Sequence, residues 1–395
     1  MAESPLLIFG AAFSTRMAAA IYILTRYFEP NVLFIQNEPS HIAAALASGH
    51  GFSSPYAGML PAPTAQQPPV YPFILAGIFH LFGIFTTESA WAAVVLNALA
   101  GAGTSLVLFH LGRIAFGGKV GLVAAWVWAL PWMYRALAFS TSLNSFHLTA
   151  LGLTGFLVYL LHVLQSDRRW FSLGLYSGVL VLLQPAVLGI ILPYGIWLTL
   201  AKGRYRSVTL ACAGAFLLIS PWTIRNYMAL GHFIPLRDNF GLELWVGNRP
   251  GMHGTADFAA PFPDHDTSEY AQMGERVFMD QKLAQAEAFI RADPSAFLWR
   301  ITHRIAEFWY VPYSWGYVFV SLTSWVGGLL AIRNNRNGWL WLIPLATYPI
   351  VYYVTHVFSS YRHPIEPIMI LLSTYCIYEF SAILLSERGL NGSKY

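Results

Sequence analysis

Asn37, Glu38 and His41 fall within the stretch FIQNEPSHIA (34–43), directly after the first long apolar run. A carboxylate held at a helix start can serve as a general base, because a base must be positioned before its basicity counts. Pro39 marks such a start, for a short helix through 40–48. The competing use of Glu38 is a solvated loop charge or a charge favoured by the helix N-terminus. A second cluster lies in PWTIRNYMALGHFIPLRDNFGLELWVGNRPG (221–251), which holds Arg225, Asn226, Arg237, Asp238, Asn239, Glu243, Trp245 and Asn248 among aromatic residues. Planar amides, carboxylates and guanidinium groups suit sugar hydroxyls, and aromatic faces suit sugar C–H surfaces. Arginine also grips phosphate bidentately. The alternative is an ordinary structured loop with Arg225 reaching towards headgroups. A third cluster, SSYRHPIEP (359–367), brings Arg362, His363 and Glu366 to the edge of a late apolar segment. Ionisable groups at that depth are functional by default, unless Arg362 and Glu366 form a pair that caps a helix.

Other chemistries find no home. There is no P-loop and no GxGxxG, and HExxH, CxxC and tight His/carboxylate sets are absent. A dedicated zinc site is therefore not expected, and no cofactor is called for beyond an optional divalent cation. Cys212 and Cys376 both sit in apolar runs and read as small packing residues. His80, His147 and Arg16 read as packed polar groups. The net charge of +4 comes from basic residues in short loops between apolar runs, so it reports membrane topology and not nucleic-acid binding.

The elements that must position these clusters are membrane helices. Hydrophobic residues make up 56% of the 395 residues and charged ones only 11%, which excludes an ordinary soluble domain. Runs of about 20 apolar residues cross a bilayer. The sequence predicts spans near 5–24, 88–111, 120–139, 143–164, 170–184, 186–200, 207–222, 313–332, 338–356 and 364–385. The flanks of 5–24 do not fit a cleaved signal peptide, so it is expected to remain as the first span. The shorter run 70–85 is expected to lie on the membrane surface. If it does not cross, Arg113, Lys119, Arg168, Arg169, Lys202, Arg204, Arg206, Arg333, Arg336, Arg388 and Lys394 all share the cytoplasmic side. Both termini are then cytoplasmic, and residues 25–87 and 223–312 are outside. The second of these regions carries 11 of the 19 acidic residues. The expected organisation is an N-terminal transmembrane module over 1–222 with the first outer loop 25–87, an outer region over 223–312, and C-terminal transmembrane helices over 313–395. Residues 268–292 read as helical, Asp293 as an N-cap and Pro294 as the first residue of an amphipathic helix to 310. Gln184-Pro185 reads as a turn between two short spans.

This arrangement resembles the GT-C superfamily of membrane glycosyltransferases, in its family 39-like branch, which includes protein O-mannosyltransferases and aminoarabinose transferases. The resemblance rests on the Asn37-Glu38 motif after the first span, on a helix ending in ALASGHGF, on QQPPVYPFILAGIFHLFG, on the segment from Pro221 to Asn248, and on YRHPIEP before the last span. It implies an all-α bundle of about ten transmembrane helices, with interfacial helices in the first outer loop and a helical outer region. It implies inverting transfer of a sugar from a polyprenyl-phosphate donor to an acceptor hydroxyl on the non-cytoplasmic face of a bacterial inner membrane. Glu38 would be the catalytic base. Arg362, Arg225 and Arg237 would hold the donor phosphate. Asn37, His41, Tyr71, Asp238, Asn239, Glu243, Trp245, Asn248 and His363 would contact sugar or acceptor. The family's leading Asp is Asn37 here, and an amide cannot take a proton. Either Glu38 is the base or the chain is a non-catalytic relative, an assembly partner of envelope enzymes. A transporter or lipid flippase is the rival class, but the sequence shows no repeated halves and its charges gather at one face.

Overall fold

The structure, a computed structural model, describes residues 4–27, 29–34, 37–130, 141–252, 264–310 and 315–392. The far end of the span expected over 120–139 and the start of that over 313–332 lie outside them. The described residues form helices and turns, with one isolated β-bridge between Ser53 and Pro63 and no strand. Among the described residues, five helices are each long and apolar enough to cross a membrane: α1 (Pro5–Arg26), α4 (Thr87–Ala115), α6 (Phe146–Ser166), α9 (Tyr205–Leu230) and α14 (Trp315–Arg333). The segment Ser359–Leu385 is a sixth; it comprises a 3-10 turn, Ser359–Ile365, and most of α17 (Glu366–Gly392). Shorter apolar helices lie between them: α3 (Val70–Phe82), α5 (Gly118–Ala129), α7 (Trp170–Leu183), α8 (Leu188–Leu200), α15 (Gly338–Thr347) and α16 (Ile350–Val354). The chain is an integral membrane protein.

Local sequence explains most boundaries. Gln184 is extended, and Pro185 opens a 3-10 turn that separates α7 from α8 as expected. The single span expected over 338–356 is instead two pieces. Pro349 lacks an amide hydrogen for the helical ladder, so α15 stops at Thr347 and α16 restarts after the proline. The span expected to end at 222 runs on to Leu230, past Pro221 inside the helix. Beyond that proline, Asn226 Nδ2 donates to the Ile234 carbonyl at 3.0 Å and anchors the following turn.

The polar region over 223–312 contains α10 (Phe240–Asn248), α11 (Asp264–Met273), α12 (Glu275–Ala292) and α13 (Pro294–Trp309). The helical stretch expected over 268–292 is broken at Gly274, whose φ of +76° favours glycine. Asp293 caps α13 as expected, accepting the Ala296 N–H at 2.9 Å. The largest apolar core joins α4–α8 to α14–α17 through Leu108, Trp128, Leu153, Tyr194, Trp341 and Leu371. A second core, around Phe34, Tyr71, Leu75, Phe79 and Ala90, seats the first loop on α3 and α4. Short helix α2 (Glu38–Ala47) packs on α3, and α10 packs on α12. Gly247 lets α10 meet the chain just after α16, since a Cβ there would fall 1.8 Å from the Thr355 carbonyl oxygen. The first loop, α10 and residues 355–361 thereby converge.

Candidate functional site

The site is built from the start of α2. Asn37 is its N-cap: Oδ1 accepts from the Ser40 N–H at 3.0 Å and from Ser40 Oγ at 2.7 Å, while Nδ2 donates to the Leu143 carbonyl at 2.5 Å. With both ends of its amide engaged, Asn37 fixes the helix start and links it to the segment before α6. Glu38 is the first residue of the helix and is half-buried. Gln66 Nε2 donates to Oε1 at 3.2 Å, and Gln67 Nε2 donates to Oε2 at 2.5 Å. Burial, and then the Glu243 carboxylate, push the Glu38 carboxyl up to about 7; the Arg237 guanidinium and the two amides pull the other way. A carboxyl that titrates near neutrality is matched to proton abstraction from a hydroxyl.

Gln66 and Gln67 end a short strap, Thr64–Gln67, that crosses the site. Arg225 Nη1 donates to the Thr64 carbonyl and Nη2 to the Phe52 carbonyl, both at 2.6 Å. The Asp238 N–H donates to the Ala65 carbonyl at 2.9 Å, and Arg237 Nε donates to the Gln66 carbonyl at 3.2 Å. Gln66 Nε2 also reaches Tyr56 Oη at 2.5 Å. The strap thus ties the first loop to the start of the 223–312 region.

Next to it, Arg237 and Glu243 form an ion pair at 3.2 Å, and Asn239 Nδ2 donates to the same Glu243 oxygen at 2.5 Å. The other Glu243 oxygen faces His356 Nε2 at 3.4 Å, and that nitrogen lies 2.9 Å from Tyr361 Oη. Tyr361 stacks on Tyr352 with centroids 4.4 Å apart. Of the residues nominated by sequence, Glu38, Asn37, Arg237, Asn239 and Glu243 are therefore gathered in one polar cluster. Gln66, Gln67, Tyr56, His356 and Tyr361 join them without having been nominated. The only signal for the glutamines was their place at the head of the Pro-rich run into α3.

The other nominated residues stand differently. Asp238 carries a carboxyl raised to about 6, chiefly by burial, and faces Arg276 at 3.8 Å. Asn248 is buried and donates to the Leu244 and Val354 carbonyls. Trp245 is half-buried on α10. Tyr71 lies in the second apolar core, and His41 sits edge-on to Phe85 with centroids 5.5 Å apart. Arg362, expected to hold the donor phosphate from the edge of a late apolar segment, lies in the protein interior at 1% exposure. It donates to Ser321 Oγ at 2.7 Å and to the Trp309 and Tyr317 carbonyls at 3.3 Å, and it faces Glu366 at 3.5 Å. His363 bridges Glu366, at 3.1 Å, and His147, at 3.0 Å. This third cluster is a buried network held by its own hydrogen bonds. Beside Asn37, a cleft of about 610 Å³ is lined by Val32, Leu33 and residues 141–144. Among the described residues no group of three or more His, Cys, Asp or Glu side chains is placed to hold a metal ion.

A family model described as dolichyl-phosphate-mannose-protein mannosyltransferase matches residues 66–224, from the strap into α9. No curated protein matches the chain. Among solved structures, the apo oligosaccharyltransferase of Archaeoglobus fulgidus superposes with a TM-score of 0.55 at 14% identity, over 98% of this chain and 52% of that one. The oligosaccharyltransferase AglB of the same archaeon, in complex with an inhibitory peptide and a dolichol-phosphate, gives 0.53 at 14% identity, over 98% and 52%. ArnT of Cupriavidus metallidurans, bound to undecaprenyl phosphate, gives 0.39 at 15% identity, over 94% and 77%. The chain spans about half the length of the archaeal chains whose fold it shares.

Proposed function

We propose that the chain, which shares the fold of the archaeal oligosaccharyltransferases, is a GT-C-type membrane glycosyltransferase that transfers a sugar from a polyprenyl-phosphate donor to an acceptor hydroxyl, with Glu38 as general base. The observation that carries this reading is the Glu38 carboxyl, fixed between two amides and raised to about 7. The donor class is supported by the family description and by the dolichol-phosphate held by the archaeal relative. In the step proposed, Glu38 takes the hydroxyl proton as the acceptor oxygen bonds to the anomeric carbon. The bond from that carbon to the phosphate oxygen breaks, and polyprenyl phosphate departs with the electron pair. One in-line displacement inverts the anomeric centre. A phosphate leaving group needs no proton, so one carboxylate suffices, and Arg237 beside it offsets the growing negative charge.

The test is release of polyprenyl phosphate by the purified protein in lipid nanodiscs, supplied with a panel of polyprenyl-phosphate sugars and a membrane extract as acceptor. We expect turnover of one donor class and none of nucleotide sugars. Inertness towards the whole panel would favour a non-catalytic role.

The reaction is assigned to the outer face of a bacterial inner membrane, on the asymmetry of basic loops. Arg291 on α12 is 76% exposed and suits a topology probe. With Cys212 and Cys376 replaced by serine, Arg291→Cys should react with an impermeant maleimide in intact cells. Reaction only after the cytoplasmic face is opened would reverse the orientation.

A further inference from the structure

One buried carboxylate has no part in the reaction just described. Glu275 opens α12 immediately after the Gly274 break and is 5% exposed. Oε1 accepts the Ala65 N–H at 2.7 Å, and Oε2 accepts both the Thr64 hydroxyl and Tyr270 Oη. Thr64 Oγ in turn accepts the Gln66 N–H at 3.0 Å. Thr64, Ala65 and Gln66 are wholly buried. With the Arg225, Asp238 and Arg237 bonds already described, the main-chain polar groups of Thr64 and Gln66 that face the site are tied down, and Ala65 is held at both its N–H and its carbonyl.

We propose that Glu275 is a positioning residue for Glu38: it locks the strap Thr64–Gln67 so that the Gln66 and Gln67 amides stay aimed at the two Glu38 oxygens. This rests on Glu38 being the group that matters at the site, but it concerns only how that carboxyl is held. Three features support it. First, a charged acceptor deep in the protein is costly, and burial does raise the Glu275 carboxyl. An apolar residue would fill that space at less cost if only packing were required. Second, Glu275 hydrogen-bonds both Thr64 and Ala65 from α12, across the polar region from the first loop. Third, the amides it aims are the direct hydrogen-bond partners of Glu38. Donors to the ionised form lower a carboxyl's pKa, so a strap that wanders would let the Glu38 value climb.

The Glu38 titration also responds to Arg237 and Glu243 on its flank and couples to Tyr56 and Tyr361. Glu275 faces Tyr270, Thr64 and Asp238, and its charge is felt at Arg225. The measurement must therefore read Glu38 itself. Protonated-carboxyl infrared absorption, taken as the difference between a protein and its Glu38→Gln counterpart over a pH series, isolates that one group without any substrate. In Glu275→Ala the Glu38 midpoint should rise by about one pH unit, the order expected for weakening two hydrogen bonds to the charged form. Glu275→Gln keeps an acceptor oxygen for the Ala65 N–H and should bring the midpoint back towards the wild-type value. Thr64→Val removes one bond to the same carboxylate and should give a smaller rise. A midpoint unmoved in folded Glu275→Ala, or in Thr64→Val where the first variant does not fold, overturns the proposal. If the midpoint shifts but the protein transfers no sugar, the positioning role stands and the transferase reading fails on its own.

Discussion

Glu38→Gln should lower single-turnover transfer by about 10²–10⁴-fold, the usual worth of a positioned general base, while raising the melting temperature above neutral pH. The two effects share a cause. The Glu38 carboxyl titrates near 7 in the folded protein against 4.5 for an ordinary glutamate. Between those pH values the folded state keeps a proton that the unfolded state has released. Stability is therefore lost as pH rises from the lower value to the upper, and the full cost is present above 7. One pKa unit is worth about 1.4 kcal/mol, and discounted because the residue is only half-buried the cost is on the order of 1–3 kcal/mol. The variant should melt higher than wild type at pH 8 and equally at pH 4, while wild-type transfer should climb as pH rises through 7. Near-wild-type transfer by Glu38→Gln would move the base to Glu243 or Asp238. Asn37→Asp makes an instructive companion. It restores the acid of the related family and keeps the acceptor that caps α2, but it loses the Nδ2 donor to the Leu143 carbonyl. It also sets a second carboxylate beside Glu38, which should push the transfer profile to higher pH.

How much of this was legible in the sequence depends on the range of the interaction. The start of α2 at Glu38, the break at Gln184-Pro185 and the Asp293 cap are each decided by a few adjacent residues, and each is where the sequence places it. The helix 70–82 is likewise local, and its 13 residues are too few to cross a bilayer alone. The strap could not be read, because its partners lie about 170 and 210 positions away and no periodicity encodes them. The arginines were ambiguous for a different reason. Broken helices leave carbonyl groups that neither water nor a neighbouring turn can satisfy inside a membrane protein. Arg362 takes the Trp309 carbonyl at the end of α13, and buried Arg304 the Tyr353 and Val354 carbonyls at the end of α16, while Arg225 takes the Phe52 and Thr64 carbonyls of the first loop. A guanidinium that binds phosphate and one that closes a helix end are the same residue in a sequence. Only the direction of the N–H groups separates them.

On that distinction, Arg237 is the arginine we propose for the donor phosphate. Arg225 has both terminal nitrogens on main-chain carbonyls, and Arg362 is 1% exposed among protein partners. Arg237 keeps 23% of its side chain exposed, is braced by the Gln66 carbonyl and Glu243, and influences the Glu38 titration. Arg237→Ala should slow the chemical step by about 10²–10³-fold, the typical cost of removing one preorganised donor from developing negative charge, and should weaken binding of the polyprenyl-phosphate donor. It should also move the transfer profile to higher pH, because Arg237 opposes the rise of the Glu38 carboxyl. Arg237→Lys keeps the charge and loses the planar fork, so the pH profile should stay in place while donor affinity still falls. Glu243→Gln should shift the profile the other way, since the Glu243 charge is what raises Glu38 after burial. Arg362→Ala should instead act through folding, lowering the melting temperature by stranding Glu366, with donor affinity preserved in whatever fraction folds. Unchanged donor affinity and turnover in Arg237→Ala would remove Arg237 from the site and return the phosphate to another cation.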